Sequence, residues 1–263
     1  MARYFLQAAG PPASPPPASR SPQTQYPRPV ATNSRDDQRS QPQQRSRFRT
    51  RSISASGSPV DPVHANVLRL DIQPSAVQRF FQSLLEYLPS ATRAWLGSVF
   101  PEWNLPSRFI LKKRKDGWEE EFEGEKATYA RLRPLQGIVI PEFLGEVDYE
   151  NTPALLLSDI GGECLATPQG ALLEVADLRR MLFQAPTALS QFGILQCDEK
   201  LDNFHHVEDK IMIVDLEMVT QGHVSEEDLK LDAEGAVDDL ARDYEDGQYC
   251  LWKDGLISVD IDK

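Results

Sequence analysis

The chain has 263 residues, of which 40% are hydrophobic, so it can bury the core of one or two domains. Its net charge of -12 is uneven: residues 1–60 hold nine Arg and two Asp, a charge of +7, which leaves -19 on residues 61–263. Nucleic-acid binding requires clustered Lys and Arg, so we expect no nucleic-acid partner for this acidic body.

The opening sequence lacks a signal-peptide pattern, and no apolar run reaches the length of a membrane span. The three cysteines, Cys164, Cys197 and Cys250, are widely separated and form no CxxC pair. This spacing argues against a disulfide framework and against a structural zinc site. We therefore expect no membrane partner and an intracellular location, cytoplasmic or nuclear.

Residues 1–65 hold eleven of the twenty prolines and show no sustained apolar period. Such a composition cannot bury enough surface to offset the entropy of ordering, so the sequence predicts a disordered Pro/Ser/Gln/Arg-rich arm. Its PPASPPP run is typical of a ligand of a proline-recognition domain, and RSRFRTRS is typical of a basic docking patch, an import signal or a phosphorylation target. A solvated tail without a specific partner is the alternative.

Residues 66–263 have a globular composition. VLRLDI, residues 67–72, alternates like a strand, and a helix is predicted from Ser75 to Pro89 because apolar residues recur at helical spacing there. A second short helix is predicted over 90–96. No glycine-rich GxGxxG loop occurs in this region.

RFILKK, residues 108–113, reads as a strand, and residues 118–132 are predicted to form the helix that follows it. On that helix Glu125 falls on the apolar stripe with Trp118, Phe122 and Tyr129. A carboxylate that faces a core requires a cation. The alternative places Glu125 at the rim, beside Lys126 or Arg131.

FLGEV and PALLLSDI are predicted to form two strands joined by a turn at residues 149–152, followed by a bend at Gly161 and Gly162. Residues 172–192 have a helical period that Pro186 interrupts. An acidic helix is predicted over residues 225–247, and its buried side consists of Leu229, Ala233, Ala236, Leu240 and Tyr244. A last strand or a docking tail is predicted to follow, with Trp252, Leu256, Ile257 and Val259.

The most informative stretch is residues 192–219, where Asp198, Lys200 and Asn203 share one loop. An apolar strand, residues 211–214, then leads to a second carboxylate, Asp215. Phosphoryl transfer from a nucleotide requires such a set: a carboxylate for the attacking hydroxyl, an amide and a carboxylate for magnesium, and a cation on the moving phosphoryl.

This stretch resembles the catalytic core of the protein-kinase-like fold, because Asn203 follows Asp198 by five positions and Lys200 follows it by two. Over residues 108–220 the chain is similar to small kinase-like proteins of fungi. It departs from the family at Gln196 and Cys197, which stand where the family has His and Arg, and at Asp215-Leu216-Glu217, which stands in place of Asp-Phe-Gly.

The resemblance implies an α+β, two-lobed protein-kinase-like fold, with an N-lobe over about 66–157 and a C-lobe over about 158–263. The C-lobe is expected to be reduced, since no Ala-Pro-Glu follows Asp215. The resemblance also implies ATP and Mg as cofactors and assigns site roles. These roles are phosphate binding for Lys112, with Lys113 as the adjacent possibility; an ion pair to it for Glu125; the adenine-binding hinge for Ser158, Asp159 and Ile160; magnesium for Asn203 and Asp215; and catalysis for Asp198 and Lys200.

The function that follows is an ATP/Mg-dependent phosphotransferase that moves the γ-phosphoryl of the nucleotide to a Ser/Thr or small-molecule hydroxyl. Because the glycine-rich loop is missing, a pseudokinase scaffold with little or no transfer is an alternative. A third hypothesis is an unrelated acidic interaction protein in which the motif match is chance.

Overall fold

The computed structural model describes residues 44–48, 51–60, 64–72, 79–80, 83–85, 87–89, 91–92, 105–221 and 225–258. All of them belong to the second of two units, residues 1–39 and 40–263. The described part of the chain is mixed α+β, and its named strands pair antiparallel.

Six strands form a closed antiparallel sheet in the order β1-β2-β3-β4-β6-β5. They are β1 Gln44–Phe48, β2 Arg51–Pro59, β3 Val67–Ile72, β4 Arg108–Lys113, β5 Phe143–Tyr149 and β6 Thr152–Ser158. The sheet closes where Arg47 of β1 pairs with Asp148 of β5. Side chains alternate along a strand, so Phe109 and Leu111 of β4 enter the interior of the sheet, while Lys112 points to the other side.

Strands β1 and β2 lie inside residues 1–65, so the prediction of a disordered arm that extends to residue 65 is wrong for this part of the chain. The Arg- and Ser-rich composition gave no sign of the strands, because the neighbouring strands supply most of the core that Phe48 and Ala55 enter. Gly57 of β2 also needs to lack a side chain, since a Cβ there would lie 2.1 Å from the carbonyl oxygen of Arg69. Residues 1–43 lie outside the described residues.

The strand predicted at residues 67–72 is confirmed as β3. Of the helix predicted from Ser75 to Pro89, residues 79–80 and 83–85 are helical, and most of the remainder lies outside the described residues. Residues 91–92 of the second short helix are also helical. No helix in the described part of the chain combines the length and the apolar character needed to cross a membrane.

The hairpin predicted at residues 149–152 is confirmed, and it joins β5 to β6. Glu150 and Asn151 have φ of 54° and 62° at its two central positions, the left-handed pair that a type I′ turn uses. Beyond this turn, β6 runs beside β4, and its last residue, Ser158, pairs with Phe109 of β4.

Helix α1, Glu119–Arg131, follows β4 and buries the face that carries Phe122, Glu125 and Tyr129. The prediction that Glu125 faces the core is therefore confirmed. Trp118 precedes the first turn of α1 and is exposed, so its predicted place on the buried stripe is wrong.

The rest of the described chain contains helices α2 Val175–Leu182, α3 Gln184–Ser190 and α4 Glu226–Lys253. It also contains the sheet β10-β9-β7 and the pair β11-β8, whose strands are β7 Glu163–Cys164, β8 Ile194–Gln196, β9 Phe204–Val207, β10 Lys210–Ile213 and β11 Val219–Gln221. The helical region breaks at Phe183 rather than at Pro186, which lies in the first turn of α3, where a missing backbone N–H removes no helix hydrogen bond.

Helix α4 begins after Ser225, whose side chain accepts a hydrogen bond from the backbone N–H of Asp228. Its buried side includes the predicted Leu229, Ala233, Leu240 and Tyr244, but Val237 is buried where Ala236 was expected, and Ala241 is buried as well. The helix continues through Trp252, so a strand at Trp252 is wrong. Inside the core, the hydroxyl of Tyr244 donates to the carbonyl oxygen of Gly170 at 2.9 Å and fixes α4 to the turn before α2.

Candidate functional site

The ammonium of Lys112 is the centre of a buried ionic cluster. Its Nζ lies 2.9 Å from Glu125 Oε1, 2.9 Å from Asp215 Oδ1 and 3.2 Å from Glu217 Oε1. These four residues are called the Lys112 cluster below. The ion pair predicted between Lys112 and Glu125 therefore forms, and Asp215 meets the same ammonium from a position 103 residues further along the chain. Lys113 instead faces Glu150 at 3.7 Å, outside the cluster.

Glu125 connects α1 to the segment that follows β10. Its Oε1 accepts from Lys112 and also from the backbone N–H of Leu216, at 3.4 Å. Leu216 is itself fully buried, which keeps this segment against the core. A single carboxylate thus positions the strand of Lys112 and the chain that carries Asp215.

Asp215 and Glu217 form a short turn directly after β10. The Oδ1 atom of Asp215 accepts from the backbone N–H of Glu217 at 2.8 Å, the pattern of an Asx turn. Glu217 extends from this turn to Lys112 and, at 2.5 Å, to Lys115. The sequence prediction gave Glu217 no role. The feature that could have indicated one is the presence of an acid at the position where the resembled family has glycine.

The cluster shifts the protonation of its members. Burial alone would lower the pKa of Lys112, but Glu125, Asp215 and Glu217 together raise it above its ordinary value. Burial raises the pKa of Glu125 to about 7, and Lys112 opposes this rise. Burial would also raise the pKa of Asp215, but the charge of Lys112 and the backbone N–H of Glu217 hold it below its ordinary value. Lys112 and Asp215 are therefore charged at neutral pH, whereas Glu125 takes up a proton more readily than a free glutamate.

The carboxylate oxygens of Glu125, Asp215 and Glu217 lie within 4.8 Å of one another, close enough to hold one cation. The ammonium of Lys112 is the cation that they hold in this structure. Of the three acids, Asp215 is the one that also lies beside the second half of the site, because the backbone N–H of Val214 donates to the carbonyl oxygen of Asn203 at 3.0 Å.

The second half of the site is the segment 197–203, called the Asp198 loop below. Within it Lys200 Nζ lies 2.8 Å from Asp198 Oδ1, and Asn203 Nδ2 donates to the backbone oxygen and to Oδ2 of Asp198, at 2.9 and 3.1 Å. The structure thus brings Asp198, Lys200 and Asn203 together as the sequence predicted. The amide nitrogen of Asn203 serves the loop, and its amide oxygen is the kind of atom that Mg²⁺ takes as a ligand, as are the oxygens of Asp215.

Gln196, the last residue of β8, joins the two halves. Its Nε2 donates to the backbone oxygen of Asp215 at 2.9 Å and to the backbone oxygen of Asp198 at 3.5 Å. The sequence analysis recorded Gln196 as a departure from the family's His and assigned it no role. Its amide is a donor like an imidazole N–H, and that shared property was the available signal.

The predicted hinge residues have contacts of their own. Ser158 exchanges two hydrogen bonds with the backbone of Glu142: its N–H donates at 2.9 Å and its Oγ accepts at 2.8 Å. Asp159 pairs with Arg69 of β3 at 3.0 Å, and Ile160 is half-buried. The contacts of Ser158 and Asp159 are thus with residues outside the Lys112 cluster. The bend predicted next to them is present, since Gly161 and Gly162 have φ of 63° and 73°.

Comparison with protein-family models and with curated proteins finds no match to this chain. The function of the site is therefore argued from its own geometry and chemistry.

Proposed function

We propose that the protein is an ATP/Mg-dependent phosphotransferase of the protein-kinase-like superfamily. In this proposal the closed sheet and α1 form the N-lobe, and α2 to α4 belong to a reduced C-lobe. One observation carries the proposal: the Nζ of Lys112, which lies on a strand, is 2.9 Å from a carboxylate oxygen of Glu125 and 2.9 Å from one of Asp215. Glu125 belongs to the helix that follows this strand, and Asp215 follows a distant hairpin. The order and element types match those that the resemblance implies.

Lys112 binds the α- and β-phosphates, and Glu125 holds its ammonium in place. A buried lysine suits this task because partners that raise its pKa keep it charged at the pH of the cell. Ser158, Asp159 and Ile160 form the segment between the lobes that faces the adenine of the nucleotide. The backbone N–H of Ser158 is already bonded to Glu142, so Asp159 and Ile160 supply the backbone groups for the base.

Asp215 and Asn203 hold Mg²⁺ through their side-chain oxygens. The metal supplies charge neutralisation between the phosphates, which is its general role in phosphoryl transfer. Asp215 suits this role because its pKa is held low, so that it remains ionised. Metal binding at Asp215 competes with its contact to Lys112.

Asp198 orients the acceptor hydroxyl and takes its proton, while Lys200 contacts the moving phosphoryl. Both are open to solvent, so an acceptor can approach them: the side chain of Lys200 is 68% exposed and that of Asp198 is 31% exposed. The acceptor is a Ser/Thr side chain of a protein or a small hydroxyl compound.

A pseudokinase scaffold is the second candidate, and two observations favour it. Residues 60–66, which join β2 to β3, contain no glycine, so the backbone that would cover the phosphates lacks the usual loop. Glu217 also lies on Lys112, at the place where the family's motif has no side chain. A scaffold with this site would bind nucleotide or a partner protein without transfer.

The wide spacing of Cys164, Cys197 and Cys250, with no CxxC pair, fits an intracellular, reducing location, which we infer to be cytoplasmic or nuclear. The acidic body argues against nucleic acid as a partner. A protein partner for the arm, residues 1–43 in this revised form, remains part of the proposal.

Calorimetric titration with ATP, with and without Mg²⁺, tests the proposed function, together with an ATP-turnover assay on the same samples. Asp215→Ala should abolish Mg-dependent binding and turnover together. Asp198→Asn should keep binding and lower turnover by about 10²-fold or more, the scale of a lost general base.

Binding without turnover in the unmutated protein would favour the scaffold. Turnover that neither substitution changes would overturn the assigned roles. The matched control is Asp209→Asn, which removes one carboxylate from the turn between β9 and β10 and should leave both measurements unchanged.

A further inference from the structure

The carboxylate of Glu217 bridges two ammonium groups. Its Oε1 lies 3.2 Å from Lys112 Nζ, and its Oε2 lies 2.5 Å from Lys115 Nζ. The side chain is 10% exposed, so these contacts form in a largely water-free place. Two oxygens of one anionic group, each facing a separate lysine, is also the arrangement in which lysines hold a phosphate group.

Lys115 is the partly open member of this pair. It lies in the segment between β4 and α1, its Nζ is 4.5 Å from the ring centre of Trp118, and its side chain is 35% exposed. It is linked to Lys112 through the carboxylate of Glu217, which contacts both ammonium groups. A lysine on a loop between a strand and a helix can follow a ligand that enters from solvent.

The contacts show which group can leave. Glu125 and Asp215 form ion pairs with Lys112, whereas Glu217 forms one with Lys112 and one with Lys115. The departure of Glu217 therefore removes a carboxylate from both ammonium groups at once. Glu125 is held in the core by α1 and Asp215 precedes the fully buried Leu216, whereas Glu217 is followed by the exposed Met218.

We propose that Lys112 and Lys115 form a two-lysine site for the phosphate groups of a nucleotide, and that Glu217 occupies this site as an internal anion until the nucleotide displaces it. The proposal rests on the proposed function in one respect, the choice of a nucleotide as the source of the phosphates. It adds Lys115 as a phosphate-binding residue and Glu217 as a residue that opposes binding.

The opposite role for Glu217 is a magnesium ligand, and the two roles differ in sign. A competing anion weakens phosphate binding, so its removal strengthens binding even without metal. A metal ligand strengthens Mg-dependent binding, so its removal weakens binding, and only when metal is present.

The experiment uses the full chain and inorganic pyrophosphate without divalent metal, followed in a second series by ATP with Mg²⁺, measured by isothermal titration calorimetry. Glu217→Gln should bind pyrophosphate about tenfold or more tightly than the unmutated protein, the scale of one lost hydrogen bond between charged groups. Glu217→Asp keeps the charge but is too short to bridge both lysines, and it should fall between the two. Lys115→Gln should weaken binding about tenfold.

Glu120→Gln is the control for net charge. It removes one acid from the exposed first turn of α1 and should leave the pyrophosphate affinity within about twofold, as for a surface charge. Lys113→Gln is the matching control for Lys115. Thermal unfolding of each variant identifies any that has lost its fold.

An unchanged or weakened pyrophosphate affinity in folded Glu217→Gln would overturn the proposal, and weakening confined to the ATP and Mg²⁺ series would assign Glu217 to the metal. An unchanged affinity in Lys115→Gln would overturn the two-lysine site. Pyrophosphate binding with the expected pattern but no ATP binding would retain the anion site and reject the nucleotide function, so the two failures are distinguishable.

Discussion

The two halves of the candidate site are built in different ways. In the Lys112 cluster the side chains of Lys112 and Glu125 are 6% and 1% exposed, so each charge depends on the other for its stability. In the Asp198 loop the side chains of Lys200 and Asp198 are largely or partly in water, and hydrogen bonds to backbone atoms set the shape. In the Lys112 cluster the charged side chains are therefore also part of the folded core, whereas in the Asp198 loop the charged side chains lie partly in solvent.

This difference decides which substitutions can be interpreted. A change in the Lys112 cluster alters the free energy of unfolding as well as any binding, so a loss of activity there is ambiguous by itself. A change at Lys200 or Asp198, whose side chains are 68% and 31% exposed, is expected to leave the fold in place, so that a resulting loss of activity reports on chemistry.

The largest effect is expected from Lys112→Met, which leaves Glu125 buried without its cation. Breaking a buried pair in this way costs about 3–5 kcal/mol in the free energy of unfolding. Lys113→Met, one residue away and partly exposed, should cost no more than about 1 kcal/mol. Urea denaturation measures both values.

The double variant Lys112→Met, Glu125→Gln removes the charge together with its partner and should recover part of the lost stability. If Lys112→Met and Lys113→Met cost the same, the buried character of the cluster has no energetic consequence and the contrast between the halves fails.

The next effect is a pH dependence that arises from Glu125. Burial raises its pKa from 4.5 to about 7, so between these values the folded protein binds a proton that the unfolded chain releases. Its contribution to stability is therefore complete below pH 4.5 and is lost as the pH rises through 7, by at most about 1.4 kcal/mol per pH unit. Asp215, whose pKa is lowered from 3.8, acts below this window and with the opposite sign.

Urea denaturation from pH 4.5 to 8, without divalent metal, should show this fall in the unmutated protein, and Glu125→Gln should flatten it. The same series on Asp198→Asn serves as the comparison from the other half of the site and should keep the slope of the unmutated protein. A flat difference between the unmutated protein and Glu125→Gln would contradict the assignment.

A smaller effect is expected where the halves meet. Gln196→Leu keeps the approximate volume but removes the donor to the backbone oxygens of Asp215 and Asp198. Leaving a buried acceptor without its donor costs about 1–3 kcal/mol. Hydrogen exchange should then show faster opening at the N–H groups of Val214 and Asn203, and unchanged exchange at both would show that the halves are held together by other contacts.

The smallest effect is expected from Lys200→Ala. Its ion pair with Asp198 is exposed, and such pairs contribute about 0–1 kcal/mol, so the melting temperature should hardly change. Any loss of ATP turnover in this variant would then report on chemistry alone. A large loss of stability would mean that the Asp198 loop, like the Lys112 cluster, is part of the structural core.

The sequence predicted that Glu125 faces the core and requires a cation, because it falls on an apolar helix stripe, and the resemblance to the kinase-like fold supplied Lys112 as its partner. The β5–β6 hairpin and β3 were predictable for the same kind of reason, since alternation and turn residues are local signals. Strands β1 and β2 were not, because their Arg- and Ser-rich sequences become strands only when β3 and β5 supply the pairing and the core.

Glu217 and Gln196 were missed for a different reason. Their positions were noticed as departures from the resembled pattern, and a departure was read as a loss. In the folded chain each substitute side chain makes a contact of its own, with two lysines in one case and with the backbone of Asp215 in the other. The contact depends on the length and chemistry of the new side chain and on which segments lie beside it in the folded chain. Sequence spacing alone does not show which segments those are.

The closure of the sheet between Arg47 and Asp148 also has a kinetic consequence. The pairing joins strands about 100 residues apart, and contacts of such sequence separation form slowly because a long loop has to close before they stabilise anything. The β5–β6 hairpin, with its two-residue turn, has no such delay. We therefore expect the β5–β6 hairpin to form early in refolding and the pairing of β1 with β5 to form late, and until it forms the edge of β5 has no partner from β1.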